Sequence, residues 1–207
     1  MRKLISFSVL FAMLAFTIND VKAQQRFKAG LVLGFNAAQL NGDASAGYKR
    51  LGLQGGLRAT AMLKDKTDLI LEMLYSQRGS FDDNENFFPN GDLDIKLNYV
   101  EIPVMLSYKD WFNEDEDYYK VQATGGFTYS RLIEATAIGS EHDGEVENFH
   151  KNDYGFTIGA DFFFTKHLAI GGRWTRSINL LYNNKKHDRS VDSLIGYYLS
   201  FRGMYVF

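Results

Sequence analysis

The last fourteen residues, Leu194 to Phe207 (LIGYYLSFRGMYVF), constrain the fold more than any other stretch. Read at a period of two, Ile195, Tyr197, Leu199, Phe201, Tyr205 and Phe207 share one face, broken only by Gly203. The alternate face carries Gly196, Tyr198, Ser200, Arg202, Met204 and Val206. A strand with one apolar, aromatic face and one mixed face containing a charge fits the wall of a transmembrane β-barrel.

The N-terminus reads differently. Arg2 and Lys3 precede an apolar run from Leu4 to Ile18, and Val21-Lys22-Ala23 forms an A-x-A-like processing site. This run is short for a membrane helix. The expectation is a signal peptide over 1–23 and a single domain over 24–207. Cleavage after Ala23 removes 23 of the 207 residues and leaves 184. It takes three cations (Arg2, Lys3, Lys22) and one anion (Asp20) from totals of 23 and 25, so the remaining chain carries a net charge of −4. That balance argues against nucleic acid as a partner. The chain has no cysteine, so backbone ladders and packing must hold it together.

Alternation then divides the chain into eight strands: Phe27 to Ala38, Leu51 to Leu63, Asp68 to Arg78, Leu93 to Tyr108, Tyr119 to Arg131, Asp153 to Phe164, Leu168 to Tyr182 and the terminal stretch. Connections alternate long and short, the asymmetry of an up-and-down outer-membrane barrel with long outer loops and short periplasmic turns. Pro103 lies inside the fourth strand, where a bulge is the expected accommodation. The predicted fold class is all-β: an eight-stranded antiparallel up-and-down transmembrane β-barrel.

Charge decides which face meets lipid. The apolar faces are nearly uncharged, whereas the opposite faces collect Lys28, Arg58, Glu72, Arg78, Glu101, Lys120, Asp161, Arg173 and Arg202. Charges are least costly turned inward, where opposite signs pair. Arg58, Glu72, Arg78, Glu101, Arg173 and Arg202 are therefore the predicted interior network, with packing of a narrow lumen favoured over a pore lining. Arg131 and Arg176 break the rule. They project from the apolar face near the outer strand ends, at the height of lipopolysaccharide phosphates.

Four histidines, His142, His150, His167 and His187, match no strong metal spacing, and none stands beside a serine in a hydrolase arrangement. No cofactor, metal or catalytic residue is expected, and the chain reads as non-enzymatic. A solute channel and a lipid-modifying enzyme remain as alternatives, with a soluble lipocalin-like binder as the outside case. The acidic, aromatic turn Asp110 to Asp117 and the outer loops are candidate partner surfaces.

The segments FKAGLVLGFNAAQLNGD, LILEMLYSQRGS and above all Leu97-Asn98-Tyr99-Val100-Glu101-Ile102-Pro103 resemble the PorT-like outer-membrane β-barrel family. The terminal Phe207 strand likewise resembles the signal by which the barrel-assembly machinery recognises outer-membrane proteins. The resemblance implies a Gram-negative outer-membrane location amid lipid and lipopolysaccharide. It also implies, for some members, association with a protein-secretion complex. It supplies no catalytic residues.

Overall fold

The computed structural model describes residues 26–42, 47–82, 93–138, 143–186 and 192–207. The predicted signal segment lies outside them, as do His142 and His187. Eight strands follow in chain order: β1 (Phe27–Asn41), β2 (Arg50–Lys64), β3 (Thr67–Asp82), β4 (Leu93–Asn113), β5 (Tyr118–Ile138), β6 (Asn152–Phe163), β7 (Leu168–Ser177) and β8 (Ile195–Val206). Each pairs antiparallel with its sequence neighbours, and β8 returns to β1 to close the barrel.

The stagger follows from the registers. A path along paired residues from Ala29 passes Ala59, Leu71, Val104, Phe127, Phe156, Arg176 and Tyr197, then returns to β1 at Gln39, ten residues on. Eight strands about 4.8 Å apart, with that shear at about 3.3 Å per residue, imply a tilt of about 40° and a backbone diameter of about 16 Å. Such a lumen is just wide enough to be filled by side chains.

Alternation places Leu33, Leu53, Met73, Leu106, Phe127, Ile158, Ile170 and Phe201 outward and exposed. Between them, Asn36, Arg58, Glu72, Glu101, Thr157, Arg173 and Arg202 point inward and are buried. An apolar belt of this extent far exceeds what a soluble protein leaves open to water, so the outer surface is the membrane face. This excludes the lipocalin-like arrangement, whose apolar side chains would line the lumen.

Several expectations are corrected. Strands β4 and β5 run to 21 residues each, so Asp110 to Asn113 continue β4 and only 114–117 turn. The fifth strand continues past Arg131 to Ile138, whereas the seventh ends at Ser177 rather than Tyr182. No bulge sits at Pro103: Leu71↔Val104 and Leu74↔Glu101 keep one register on either side of it. The proline lacks the N–H a ladder needs; the β3–β4 ladder is interrupted there, while on the β5 side Pro103 stays in register with Thr128. The bulge lies instead between Asn98 and Tyr99 on the β5 side, where Ile133 is the extra residue. Lys28 and Lys120 do not enter the lumen. Lys28 is exposed at the start of β1, and Lys120 lies half-buried with its Nζ 5.7 Å from the Trp111 ring.

Candidate functional site

The inward side chains form three polar tiers and an apolar cap. At the periplasmic floor, Lys109 Nζ meets Asp68 Oδ1 at 2.9 Å. Gln122 Nε2 donates to Ser107 Oγ at 2.6 Å and to Asp68 Oδ2 at 3.4 Å. Its Oε1 accepts from Arg58 Nη2 at 2.9 Å, which ties this tier to the next.

The second tier unites Arg58, Glu72, Asp161, Arg173 and Arg202. Glu72 accepts from Arg173 at 2.8 and 3.3 Å and from Arg202 at 3.0 and 3.2 Å. Asp161 accepts from Arg58 at 3.1 Å and from Arg202 at 3.3 Å. The β6–β7 register sets Asp161 opposite Gly171. A Cβ at that glycine would collide with Asp161 Oδ1, so the absent side chain leaves room for the carboxylate. Three guanidinium groups against two carboxylates leave this tier one positive charge in excess.

Ser200 donates to Asn36, and Asn36 donates to Ser76, bridging upward to the third tier. There Arg78 donates to Glu101 at 2.6 Å, Asp153 at 2.9 Å, Ser130 at 2.9 Å and Ser76 at 3.2 Å. Its guanidinium carbon lies 4.7 Å from the Tyr99 ring centroid and 4.2 Å from that of Tyr198, a buried cation–π stack. The Tyr198 hydroxyl donates to Glu101 at 2.7 Å, and Thr128 donates to the same oxygen at 3.2 Å. One arginine against two carboxylates leaves a negative excess, which balances the tier below.

The outer mouth is closed by apolar packing. Leu40, Ile95, Leu97, Tyr99, Ala137, Phe149, Leu181, Tyr182 and Leu194 form one buried cluster. A 3-10 turn, Asp143–Asn148, leads into Phe149, whose ring lies 6.0 Å from Tyr182. Beneath this cap the enclosed space beside Arg78, Tyr99 and Tyr198 measures about 10 Å³, room for one water-sized sphere.

The six residues predicted for the interior thus fall into two groups. Arg58, Glu72, Arg173 and Arg202 meet in the second tier, Arg78 and Glu101 in the third. Sequence reasoning counts Asp161 among the inward charges without assigning it a partner and puts Tyr198 on the face of Arg202 without a role. It leaves Asp68 and Asp153, the first residues of the predicted third and sixth strands, out of the inward set. Parity was the available signal for Asp153: as the first residue of the predicted sixth strand it shares a face with Thr157 and Asp161, and that face is buried.

Arg131 and Arg176 are both exposed on the membrane face, and they do not form one site. Arg131 pairs in register with Asn152, whereas Arg176 pairs with Phe156, four residues away on β6. Two strand spacings and four residues separate the pair by about 16 Å. Arg131 donates to Asn152 Oδ1 at 2.7 Å, while the Arg176 guanidinium has no partner among the described residues. Of the histidines, His167 sits in the β6–β7 turn with Nδ1 2.7 Å from the Val206 carbonyl oxygen. Among the described residues no group of three or more His, Asp or Glu side chains converges on a metal position.

A closed antiparallel barrel with an apolar exterior and an ionic, sealed interior defines the class: an integral β-barrel membrane protein. The sequence matches the outer membrane protein beta-barrel domain family over residues 22–183, most of its length, and the chain belongs to that family. Among solved structures, the attachment invasion locus protein Ail of Yersinia pestis is similar at 12% identity and a TM-score of 0.49, with 87% of this chain and 98% of that one covered. Neisserial surface protein A is similar at 14% identity and a TM-score of 0.47, covering 86% and 96%. Outer membrane protein W of E. coli is similar at 13% identity and a TM-score of 0.44, covering 89% and 100%. No curated protein matches the sequence.

Proposed function

We propose that this protein is a closed, non-enzymatic outer-membrane scaffold, a structural or accessory component of an envelope or protein-secretion complex of the PorT-like type. The observation that carries the reading is the filled lumen. Three hydrogen-bonded pairs each join strands on opposite sides of the barrel: Arg58 with Asp161, Glu72 with Arg173, and Glu101 with Tyr198. With the apolar cap above them, they fill the lumen among the described residues, which disfavours a solute channel. The resemblance of Leu97 to Pro103 to the PorT-like pattern supports the finer assignment, and outer-leaflet lipopolysaccharide is the proposed lipid partner at Arg131 and Arg176.

The test is single-channel recording on the refolded protein in planar bilayers. Silence across several hundred insertions, with a folded barrel demonstrated by faster migration of the unboiled protein on a detergent gel, is the expected result. A steady, ion-selective current would overturn the closed scaffold in favour of a channel.

A further inference from the structure

The β4–β5 hairpin is the one feature that the sealed barrel leaves without a purpose. The last β3–β4 pair is Thr67↔Tyr108 and the last β5–β6 pair is Val121↔Phe162. Strands β4 and β5 nevertheless stay paired down to Asn113↔Tyr118. The ribbon therefore overshoots its neighbours by five residues on β4 and three on β5, about 12 Å and about 8 Å along the membrane normal. Its two sides differ. On the β6 side, the Tyr118 hydroxyl reaches the Phe164 carbonyl at 2.7 Å and ties the ribbon to the neighbouring turn. On the β3 side, Lys109 N–H to Lys66 C=O at 2.8 Å is the last backbone tie, followed by the exposed Lys66–Asp110 ion pair at 3.4 Å. Beyond these, no described strand covers the edge of Trp111–Asn113 that faces away from β5.

That edge is short, and its backbone N–H and C=O groups on the side away from β5 face no described strand. It carries the backbone of Trp111, held at a φ of 59°, a conformation bulky residues rarely adopt. The ring, 61% exposed, turns to the other side of the ribbon with its centroid 6.3 Å from that of Phe162 on β6. Phe112 beside it is 46% exposed. The local cations are already engaged: Lys66 with Asp110, Lys109 with Asp68, and Lys120 over Trp111. Glu114, Asp115, Glu116 and Asp117 form the tip, and their carboxylates make no ion pair with any described residue.

We propose that this ribbon is a periplasmic docking edge for a basic, extended protein segment. The segment would add as a strand beside Trp111–Asn113 and place its cations against the Glu114–Asp117 carboxylates. The charge excludes the other obvious neighbour, since four unpaired carboxylates are repelled by an anionic lipid surface. The inference rests on the scaffold reading only in giving the partner a place, and it is tested separately from conductance.

The experiment uses the full mature chain in zwitterionic nanodiscs, in a Trp174→Phe background so that Trp111 is the reporter. The probe is a ten-residue peptide alternating Lys and Thr. Three controls accompany it: a Glu–Thr peptide, the Lys–Thr peptide with alternate backbone amides N-methylated, and anionic nanodiscs without peptide. A saturable change in Trp111 fluorescence with the Lys–Thr peptide is expected. Affinity should fall at least tenfold on N-methylation, and likewise in the variant Glu114→Gln/Asp115→Asn/Glu116→Gln/Asp117→Asn, whose exposed changes leave the barrel heat-modifiable. Equal binding of the N-methylated peptide would reduce the effect to charge adsorption and overturn strand addition. A Trp111 response to anionic nanodiscs alone would place the ribbon in the headgroups and overturn the docking edge.

Discussion

Glu72 on β3 and Arg173 on β7 stand on opposite sides of the eight-strand ring and bond across the lumen at 2.8 and 3.3 Å. No backbone ladder joins those strands, so the ion pair is a strut across a diameter. Glu72 also serves Arg202 and lies 3.8 Å from Arg58, so one carboxylate holds three guanidinium groups. Such a cluster adds little net stability over an apolar core, yet removing one member is costly because the others stay buried and unpaired.

Glu72→Ala should therefore lower stability by about 3–5 kcal/mol. Urea unfolding in detergent, followed by tryptophan fluorescence, measures it. Replacing Glu72 and Arg173 together by leucine should recover part of that loss. A double mutant as unstable as the sum of the two singles would mean the pair does not act as a strut.

The adjacent glycines Gly171 and Gly172 form a matched test. A Cβ at Gly171 collides with the Asp161 carboxylate, whereas a Cβ at Gly172 meets nothing within 4 Å. Gly171→Ala is expected to cost about 1–3 kcal/mol, and Gly172→Ala to stay within about 0.5 kcal/mol of the parent. Equal effects would show that the interior tolerates displacement of Asp161.

The cap should fail before the barrel does. Phe149 is buried against Tyr182 in a cluster built partly from loops rather than from the ladder. Phe149→Ala removes a large side chain, a change worth about 3–5 kcal/mol where the site cannot collapse. The expected readout is faster proteolysis within residues 143–150, with the heat shift of the barrel unchanged. Loss of the heat shift would mean that cap and wall unfold as one unit.

Arg131→Ala with Arg176→Ala should reduce co-purified lipopolysaccharide. Because the two sites stand about 16 Å apart, each single variant should retain part of the effect. Unchanged lipopolysaccharide in the double variant would mean that both side chains simply extend into water.

Much of this architecture was legible in the chain. Period-two alternation depends on local stereochemistry, so strand number, connectivity and most of the inward set could be read without coordinates. The exceptions are Lys28 and Lys120 at strand ends, which the sequence reading places inside, and Asp68 and Asp153, which it leaves out. The segment Leu97 to Pro103 illustrates both the reach and the limit of that reading. Parity put Tyr99, Glu101 and Pro103 on one face, and all three are buried. Parity alone could not show that Leu97 joins the cap, that Tyr99 covers the Arg78 guanidinium, or that Glu101 accepts from Tyr198 across the barrel.

Those contacts depend on the shear of ten residues, which sets the heights of side chains on different strands relative to one another. Shear is a sum of eight registers, and no single strand encodes it. The sequence by itself determined a membrane barrel with its charges inside, because burying an unpaired charge in lipid costs more than any alternative arrangement. Only the tertiary structure decided that the six predicted residues divide between two tiers whose opposite excess charges offset each other, that packing closes the outer mouth, and that one hairpin overshoots its neighbours. Each of these is a relation between strands remote in the chain, fixed when the last strand pairs with the first.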